Sequence, residues 1–364
     1  PVVLALAGAV RSHPGRRFLF MFWRTSPCVN GIPRKWSKLH SAWKSTATCA
    51  PNCKVPTMLR AIVLGAAAGG GLPQWNCACP VCAAVRSGQA GAPQTQSSIV
   101  VSADGERWVL INASPDIRQQ FAATPALHPR AVRHSPLSAV LVTNADVDHV
   151  AGLLSLREVQ PFALYATRRV HSVLDANAIF NVVNREHVPR RPVQLDESMP
   201  ILDAAGVPTG IWIETFTVPG KVALWLEDPN AERFGSVAED TIGVAIRAEG
   251  SEARLFYLPG CADVPDSLKA RFKPTDTVLF DGTTYTEHEM AEAGVGQKSA
   301  SRMGHLVMSG PQGTIARLAD VPLARRLFIH INNTNPVWLP DSDARRDIVR
   351  QGWDLAFDGM ELTL

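Results

Sequence analysis

The 364-residue sequence predicts an α/β fold, an αββα sandwich in which two mixed β-sheets pack face to face with helices outside. Short apolar runs of strand length alternate along the chain with amphipathic, helix-like stretches, and several of those runs end in polar clusters. Hydrophobic residues make up 46% of the chain, which is enough to bury a large core. No run of 18 or more uncharged apolar residues is present. We therefore expect a soluble protein without membrane insertion, with one domain over residues 58–364.

Residues 1–57 differ in composition from the rest of the chain. They hold nine of the 36 Lys and Arg residues, no Asp or Glu, and no regular hydrophobic period. A targeting leader is one explanation; upstream sequence translated from a mis-assigned start, with Met58 as the natural first residue, is the one we favour. The remainder carries 27 basic and 33 acidic side chains, so nothing there indicates nucleic-acid binding. The prediction is a basic extension without a core.

In the first half of the domain, apolar runs bounded by turn residues predict the strands. Asp104 and Gly105 form a turn pair typical of a hairpin. The predicted strands are Leu59–Gly65, Gln96–Ser102, Trp108–Asn112, Ala139–Val142 and Phe162–Ala166. Amphipathic spacing predicts helices over Ala83–Gly88, Ile117–Ala123, Gly152–Glu158 and Val170–Asn184.

Strands in the second half are expected to form the second sheet. They are predicted at Val193–Leu195, Ile211–Thr217, Ile242–Ala248, Leu255–Leu258 and Thr277–Asp281, and from Leu327 with His330 near the strand end. The last two, Trp353–Ala356 and Glu361–Thr363, are predicted to be edge strands. One helix is predicted over Asp343–Gly352, and another after Arg302–His305.

The central stretch is the apolar run Ala139–Val142, which is typical of a strand buried on both faces. Four potential metal ligands follow it within six residues: Asn144, Asp146, Asp148 and His149. Their oxygen and imidazole donors can converge on one cation. An Asx-rich turn that caps the next helix is the alternative.

Three of the seven cysteines form a second candidate metal site. The spacing Cys-x-Cys-x-x-Cys at Cys77, Cys79 and Cys82 can direct three sulfurs at one tetrahedral centre. We predict a structural Zn²⁺ whose fourth ligand comes from elsewhere in the domain, with His330 as one candidate; merely buried or redox-sensitive thiols are the alternative. Nothing resembles a secreted disulfide framework, so the predicted compartment is the reducing cytoplasm.

Two other stretches leave their roles open. The glycine-rich segment Ala66–Pro73 lacks the spacing of a phosphate-binding loop and predicts a tight turn or close backbone approach beside the site. Asp116 precedes the helix at Ile117, where it could cap the helix or lie near the metal.

The strand followed by a ligand loop resembles the metallo-β-lactamase superfamily. Its His-x-His-x-Asp-His motif falls here on Asn144, Asp146, Asp148 and His149. Since the two leading histidines are absent, the resemblance favours oxygen-rich coordination, and iron or manganese over zinc. It also implies that Asp281 is an acidic residue beside the site and that Lys221 stands where a third His is expected. Cys261 either replaces a bridging Asp or is a small buried residue.

Five segments narrow the resemblance: Leu64–Cys82, Thr143–Gly152, Phe280–Thr283, Arg302–His305 and His330–Pro336. Together they resemble the pyrroloquinoline quinone (PQQ) biosynthesis protein B family, from Met58 to the end of the chain. The resemblance implies a bacterial cytoplasmic protein that helps to make the quinone cofactor from a Glu and a Tyr of a precursor peptide. The implied partners are this small precursor and other PQQ biosynthesis proteins.

Three functions are compatible with this resemblance. The first is an iron-dependent hydroxylase of the tyrosine ring, the second a carrier of PQQ or its precursor toward the periplasm. The third, a zinc hydrolase, rests on fold analogy alone. We favour the hydroxylase because mixed His and carboxylate ligands with open positions suit Fe²⁺ and O₂, whereas a carrier needs no open metal position.

The hydroxylase interpretation assigns roles to particular residues. The active-site Fe²⁺ is expected to be bound by Asp146, Asp148, His149 and His330. Asp281 is expected to orient a ligand or water, and His305 to act as acid or base toward the phenol, whose pKa is normally near 10. Arg157 and Arg302 are candidates for binding substrate carboxylates; the alternative is that, as single charges on helices, they are solvated.

Overall fold

Two seven-stranded sheets form the centre of the computed structural model, which describes residues 58–226 and 236–364. The prediction for residues 1–57 falls outside the described residues. The first sheet contains β1 (Arg60–Gly65), β2 (Ser98–Ser102), β3 (Trp108–Ile111), β4 (Leu137–Leu141), β5 (Ala163–Ala166), β6 (Arg190–Pro192) and β14 (Glu361–Thr363). The second contains β7 (Ser198–Leu202), β8 (Pro208–Thr217), β9 (Ile242–Ala248), β10 (Leu255–Leu258), β11 (Thr277–Asp281), β12 (Arg325–Ile329) and β13 (Asp354–Leu355).

Both sheets mix antiparallel and parallel pairs. The order β14-β1-β2-β3 is antiparallel, and β3-β4-β5-β6 is parallel. In the second sheet β7-β8-β9-β10 is antiparallel and β10-β11-β12-β13 is parallel. The carboxyl ends of β4, β11 and β12 carry the candidate site residues.

Successive side chains of a strand point to opposite faces of its sheet. The hydrophobic core therefore has one inner part between the two sheets and two outer parts beneath the helices. In β2, Ile99 and Val101 pack between the sheets, whereas Val100 faces the helices on the outside. A third cluster covers the outer face of the second sheet around Phe256, Phe280 and Phe328. Strands β2, β3 and β11 are buried along their whole length, which explains their continuous apolar sequence.

The helices are short and lie mainly between strands. They are α1 (Pro80–Arg86), α2 (Ile117–Ala123), α3 (Val147–Val150), α4 (Arg168–Ala176), α5 (Asp266–Lys269), α6 (Glu289–Glu292), α7 (Ala300–Met303), α8 (Thr314–Arg317) and α9 (Asp343–Arg350). Single 3₁₀ turns cover Pro125–Leu127, Ala151–Leu156, Ala178–Val182, Leu224–Leu226 and Pro336–Trp338. None of the helices within residues 58–226 and 236–364 has the length and apolar character needed to cross a membrane.

The predicted sandwich of two mixed sheets with outer helices is confirmed. The two C-terminal strands lie at sheet edges, as predicted, although β14 returns to the first sheet rather than the second.

Three sequence-based predictions of elements were wrong. The helix predicted over Val170–Asn184 ends at Ala176, because the side chain of Asn177 donates to the carbonyl of Val173 at 2.7 Å and its backbone is extended. The predicted strand Val193–Leu195 is the crossing between sheets. Val193 bonds to Ala166 of β5, and Leu195 pairs with Thr215 of β8.

The third error concerns Arg302–His305, which ends a helix instead of preceding one. Arg302 lies in α7, and Gly304 closes that helix in the left-handed conformation at φ 83°. A Cβ at Gly304 would also lie 2.9 Å from Cγ of Lys221, so the position excludes a side chain on two grounds. His305 therefore follows the end of the helix, one residue after the position that packs against Lys221. Strand β7 was not predicted at all.

Candidate metal centre and active-site cavity

The loop after β4 is held in place by its neighbour in the first sheet. Asn112, just beyond β3, has a left-handed backbone at φ 63° and is fully buried. Its side-chain oxygen accepts from the backbone N–H of Thr143 at 2.9 Å, and its side-chain nitrogen donates to the Thr143 hydroxyl at 3.0 Å. Asn112 thus fixes the start of the loop that carries Asp148 and His149. Asparagine suits this position because it tolerates the left-handed backbone conformation.

Three side chains of this edge of the sandwich form a potential metal-binding group. One ligand atom from each of Asp148, His149 and His330 lies within 4.8 Å of the others. Oδ2 of Asp148 is 3.0 Å from Nε2 of His330 and 3.8 Å from Nε2 of His149. Two imidazoles and one carboxylate with open positions are a ligand set typical of non-haem Fe(II).

The hydrogen bonds of His149 leave one ring nitrogen available to a metal. Oδ1 of Asn144 accepts from the backbone of Asp146 at 3.0 Å and lies 2.7 Å from Nδ1 of His149, so Nδ1 carries the proton. Nε2 of His149 is buried and has no hydrogen-bond partner among the described residues. A buried lone pair without a partner is unfavourable unless a cation binds there.

Burial sets the protonation state of His149. Its ring is buried, which lowers the pKa of His149 to about 4, despite the nearby Asp148 carboxylate. The imidazole is therefore neutral at physiological pH, which is the form that binds metal ions.

Thr283 fixes the ring of His330 in a similar way. The Thr283 hydroxyl donates to Oδ1 of Asp281 at 2.7 Å, so its oxygen is left to accept from Nδ1 of His330 at 2.9 Å. Nε2 of His330 then faces the Asp148 carboxylate, where a proton or a cation must lie between the two lone pairs. Burial lowers the pKa of His330, but the hydrogen bond to Asp148 and the negative charges of the neighbouring carboxylates together outweigh burial and raise the pKa above its ordinary value. His330 holds a left-handed backbone at φ 58°, a strained conformation that occurs at functional sites.

Asp281 and His305 form a second, adjoining pair. Oδ2 of Asp281 lies 2.6 Å from Nδ1 of His305, and the His305 ring stacks on His330 with centroids 5.3 Å apart. Burial alone would raise the pKa of Asp281, but the neighbouring His305 holds it below the ordinary value. The carboxylate orients the ring, so that Nε2 of His305, whose side chain lines the cavity, remains for a ligand.

A cavity of about 500 Å³ opens over these residues. Asp146 lines it but does not belong to the group of three converging ligands, although we predicted it as a ligand. Gly69 also lines it, and a Cβ at this position would be 3.4 Å from Oδ2 of Asp148, in agreement with the predicted close approach of the glycine-rich segment. Neither Arg157 nor Arg302 lines this cavity; among the described residues, the lining lysines are Lys221 and Lys298.

The three clustered thiols also converge. The sulfurs of Cys77, Cys79 and Cys82 lie within 4.8 Å of one another, a spacing that a tetrahedral Zn²⁺ can bridge. Burial raises the pKa of the Cys79 thiol to about 12, which opposes thiolate formation unless a cation binds. Cys77 differs: burial raises its pKa, but the hydrogen bonds from the backbone of Cys79 and from the neighbouring side chains together outweigh burial and lower the pKa.

The residue beside the thiols is Asn333. Its backbone oxygen is 3.6 Å from the sulfur of Cys79, and its side-chain amide is 3.3 Å from that of Cys82. Within residues 58–226 and 236–364, no histidine joins the cysteine group. His330, one candidate for the fourth ligand, instead belongs to the groups that it forms with Asp148 and His149 and with Asp281 and His305.

Two further residues have structural contacts. Cys261 is fully buried in the outer core, and its backbone N–H donates to Asp281 at 2.8 Å. Burial raises its thiol pKa far above the ordinary value, which favours the interpretation as a small buried residue.

Asp116 occupies the position before α2, but its side chain does not cap the helix. Its carboxylate instead accepts a hydrogen bond from the backbone N–H of Gln96 at 2.9 Å.

Replacing Cys79 with Ala should remove one zinc ion per chain and lower the melting temperature by several degrees. A three-thiolate site that loses one ligand binds metal weakly, and loss of a structural metal destabilises a fold by roughly a few kcal/mol. Metal analysis and calorimetry measure both effects. Cys261→Ala is the matched control, a buried thiol outside the group, and should keep its zinc. Full zinc content in Cys79→Ala would refute the site.

Comparison with known proteins identifies the family of this chain. A model of the β-lactamase superfamily domain matches residues 107–331. The coenzyme PQQ synthesis protein B of Methylobacterium sp. (strain 4-46) is 56% identical over 308 residues, which cover 84% of this chain and 100% of that protein.

Two solved structures show the same fold. The crystal structure of Zn²⁺-bound PqqB from Methylobacterium extorquens has 51% identity and a TM-score of 0.79, covering 84% of this chain and 100% of that one. A diphosphatase of the PhnP family, at 19% identity and a TM-score of 0.59, covers 84% of this chain and 97% of that one and shares the fold. The chain thus belongs to the coenzyme PQQ synthesis protein B family, within the β-lactamase superfamily.

Proposed function

We propose that, within PQQ biosynthesis, this chain catalyses the iron-dependent hydroxylation of the tyrosine ring of a small Glu–Tyr-derived precursor. The observation that carries the proposal is the group of Asp148, His149 and His330, with the unpartnered Nε2 of His149, beside a cavity of about 500 Å³. A cavity of this volume is of the size that holds small-molecule ligands.

These residues would hold Fe²⁺, which supplies the site at which O₂ is reduced. One oxygen atom of O₂ enters a ring C–H bond and the other leaves as water, while an external reductant provides two electrons and two protons. The two imidazole ligands have fixed orientations. Nδ1 of His149 is hydrogen-bonded to Asn144, and Nδ1 of His330 is hydrogen-bonded to Thr283.

His305 would act on the substrate phenol. Because Asp281 holds Nδ1 of His305 at 2.6 Å, Nε2 can accept the phenol proton, and the buried carboxylate stabilises the resulting imidazolium. A phenol with a pKa of about 10 is otherwise almost fully protonated at neutral pH. The pair therefore raises the fraction of the electron-rich phenolate that reacts.

A structural role is proposed for the second metal site. Cys77, Cys79 and Cys82 would bind Zn²⁺, with an oxygen of Asn333 as the nearest candidate for the fourth position. A cytoplasmic location is also proposed, since the four cysteines of the described residues are all unpaired.

Mass spectrometry tests the proposal. Protein reconstituted anaerobically with Fe²⁺ is mixed with a Glu–Tyr substrate and a reductant, then exposed to ¹⁸O₂. The expected result is a product heavier by one or more ¹⁸O atoms, formed by the iron protein and not by the zinc-loaded protein. A substrate that binds but gains no oxygen would support the carrier function instead.

A further inference from the structure

Charges of both signs border the substrate cavity. Among the described residues, four charged side chains line it: Asp146, Asp148, Lys221 and Lys298. The buried Asp281 carboxylate lies directly behind this lining, 2.6 Å from His305. With a divalent cation bound to Asp148 and the neutral histidines, these described groups would have a net charge of about +1. Because a concave, partly apolar site concentrates its electric field, the metal-loaded cavity favours an anionic ligand.

Lys221 is held at a defined place on the cavity wall. Its backbone oxygen accepts from the hydroxyl of Thr241 at 3.1 Å, which fixes the loop after β8. The aliphatic part of its side chain packs on Gly304, so closely that a Cβ at Gly304 would lie 2.9 Å from Cγ of Lys221. Lys221 and His305, which follows Gly304, both line the cavity, so the lysine lies on the same cavity as the proposed base.

Lys298 comes from a different segment. It is exposed and lies in the connection between α6 and α7, and its side chain lines the same cavity. Between the charged groups, Val147, Met290 and Met303 provide apolar lining. Thioether side chains make favourable contacts with aromatic rings, so this part of the wall suits a flat, apolar body.

We propose that Lys221 and Lys298 form an anion-binding site for the substrate, and that the ligand is a small aromatic molecule with at least two carboxylates. For the identity of the natural ligand this rests on the proposed function, since a Glu–Tyr-derived molecule carries carboxylates on both of its amino-acid parts. The binding site itself depends only on the cavity and its charges. Lysine binds carboxylates through a charge-assisted hydrogen bond.

Equilibrium binding of terephthalate to the metal-loaded protein, measured without O₂, tests this proposal. Terephthalamide is the matched neutral probe. Terephthalate should bind at least about tenfold more tightly than the amide, and Lys221→Met and Lys298→Met should each weaken terephthalate binding by about tenfold. Lys221→Arg and Lys298→Arg should retain most of the affinity, because they keep the charge. Amide binding should change in none of these variants.

Lys269→Met, which removes a lysine on α5 outside the cavity, is the control and should bind terephthalate normally. Equal affinity for terephthalate and its amide, or unchanged terephthalate binding by the Lys221→Met/Lys298→Met double variant, would overturn the proposal. Because the assay excludes O₂, its result is separate from hydroxylation. Lysine-dependent binding without any ¹⁸O incorporation would refute the hydroxylase but leave the anion site in place.

Discussion

Replacing Asp148 or His149 with Ala is expected to abolish both binding of the active-site metal and turnover. Each change removes one of three converging ligands, while the Cys77–Cys82 site is untouched. Since residues that only orient ligands already contribute about 10–100-fold to metal affinity, loss of a ligand should cost at least about 100-fold. Titration of the apoprotein with Fe²⁺ under anaerobic conditions measures the effect.

The control for this experiment is His134→Ala, which removes an exposed imidazole outside the cavity. It should bind iron and turn over normally. Normal iron affinity and hydroxylation by His149→Ala would show that the ligand set is wrong, and the carrier function would then become the better explanation.

His305→Ala is expected to keep the active-site metal and lose most of the rate. The ring contacts Asp281 and the hydroxyl of Thr283. It groups with Asp281 and His330 and is not one of the three residues around Asp148 that we propose as the iron ligands. General base catalysis typically contributes about 10²–10⁴-fold, and we expect a loss within this range.

The pH dependence distinguishes loss of a base from a structural defect. Without His305, the reactive phenolate must form by ionisation in solution, so the rate of the variant should rise about tenfold per pH unit until the phenol pKa of about 10. The protein with His305 should show a much weaker rise over the same interval. A variant with normal turnover, or with a uniformly low rate at all pH values, would exclude the role as base.

Local sequence patterns predicted the strands that are buried on both faces. Leu255–Leu258 and Thr277–Asp281 have the predicted bounds and are buried along their whole length. A short run of apolar residues is typical of a strand covered on both faces. Strand β7 was missed because Ser198–Leu202 combines Ser, Met and Pro at a sheet edge, where packing imposes no clear period. The end of α4 depended on one side-chain hydrogen bond of Asn177, which the amphipathic pattern does not reveal.

The site could be predicted only where the residue type itself indicates the chemistry. Asp148, His149 and His330 were found in this way, and the structure brings them together. The roles of Asn112 and Thr283 could not be predicted, since both depend on contacts between strand ends, at separations of 31 residues to Thr143 and 47 residues to His330. For the same reason, the sequence offered Arg157 and Arg302 as candidates for binding carboxylates, whereas the structure places Lys221 and Lys298 at the cavity.

The most direct test of this account is the position of the metals in crystals of the protein reconstituted with iron and zinc. Anomalous diffraction above and below the iron and zinc absorption edges distinguishes the two elements. The account predicts an iron peak between Asp148, His149 and His330, and a separate zinc peak among Cys77, Cys79 and Cys82. Iron bound elsewhere, or no metal among the two histidines and Asp148, would contradict it.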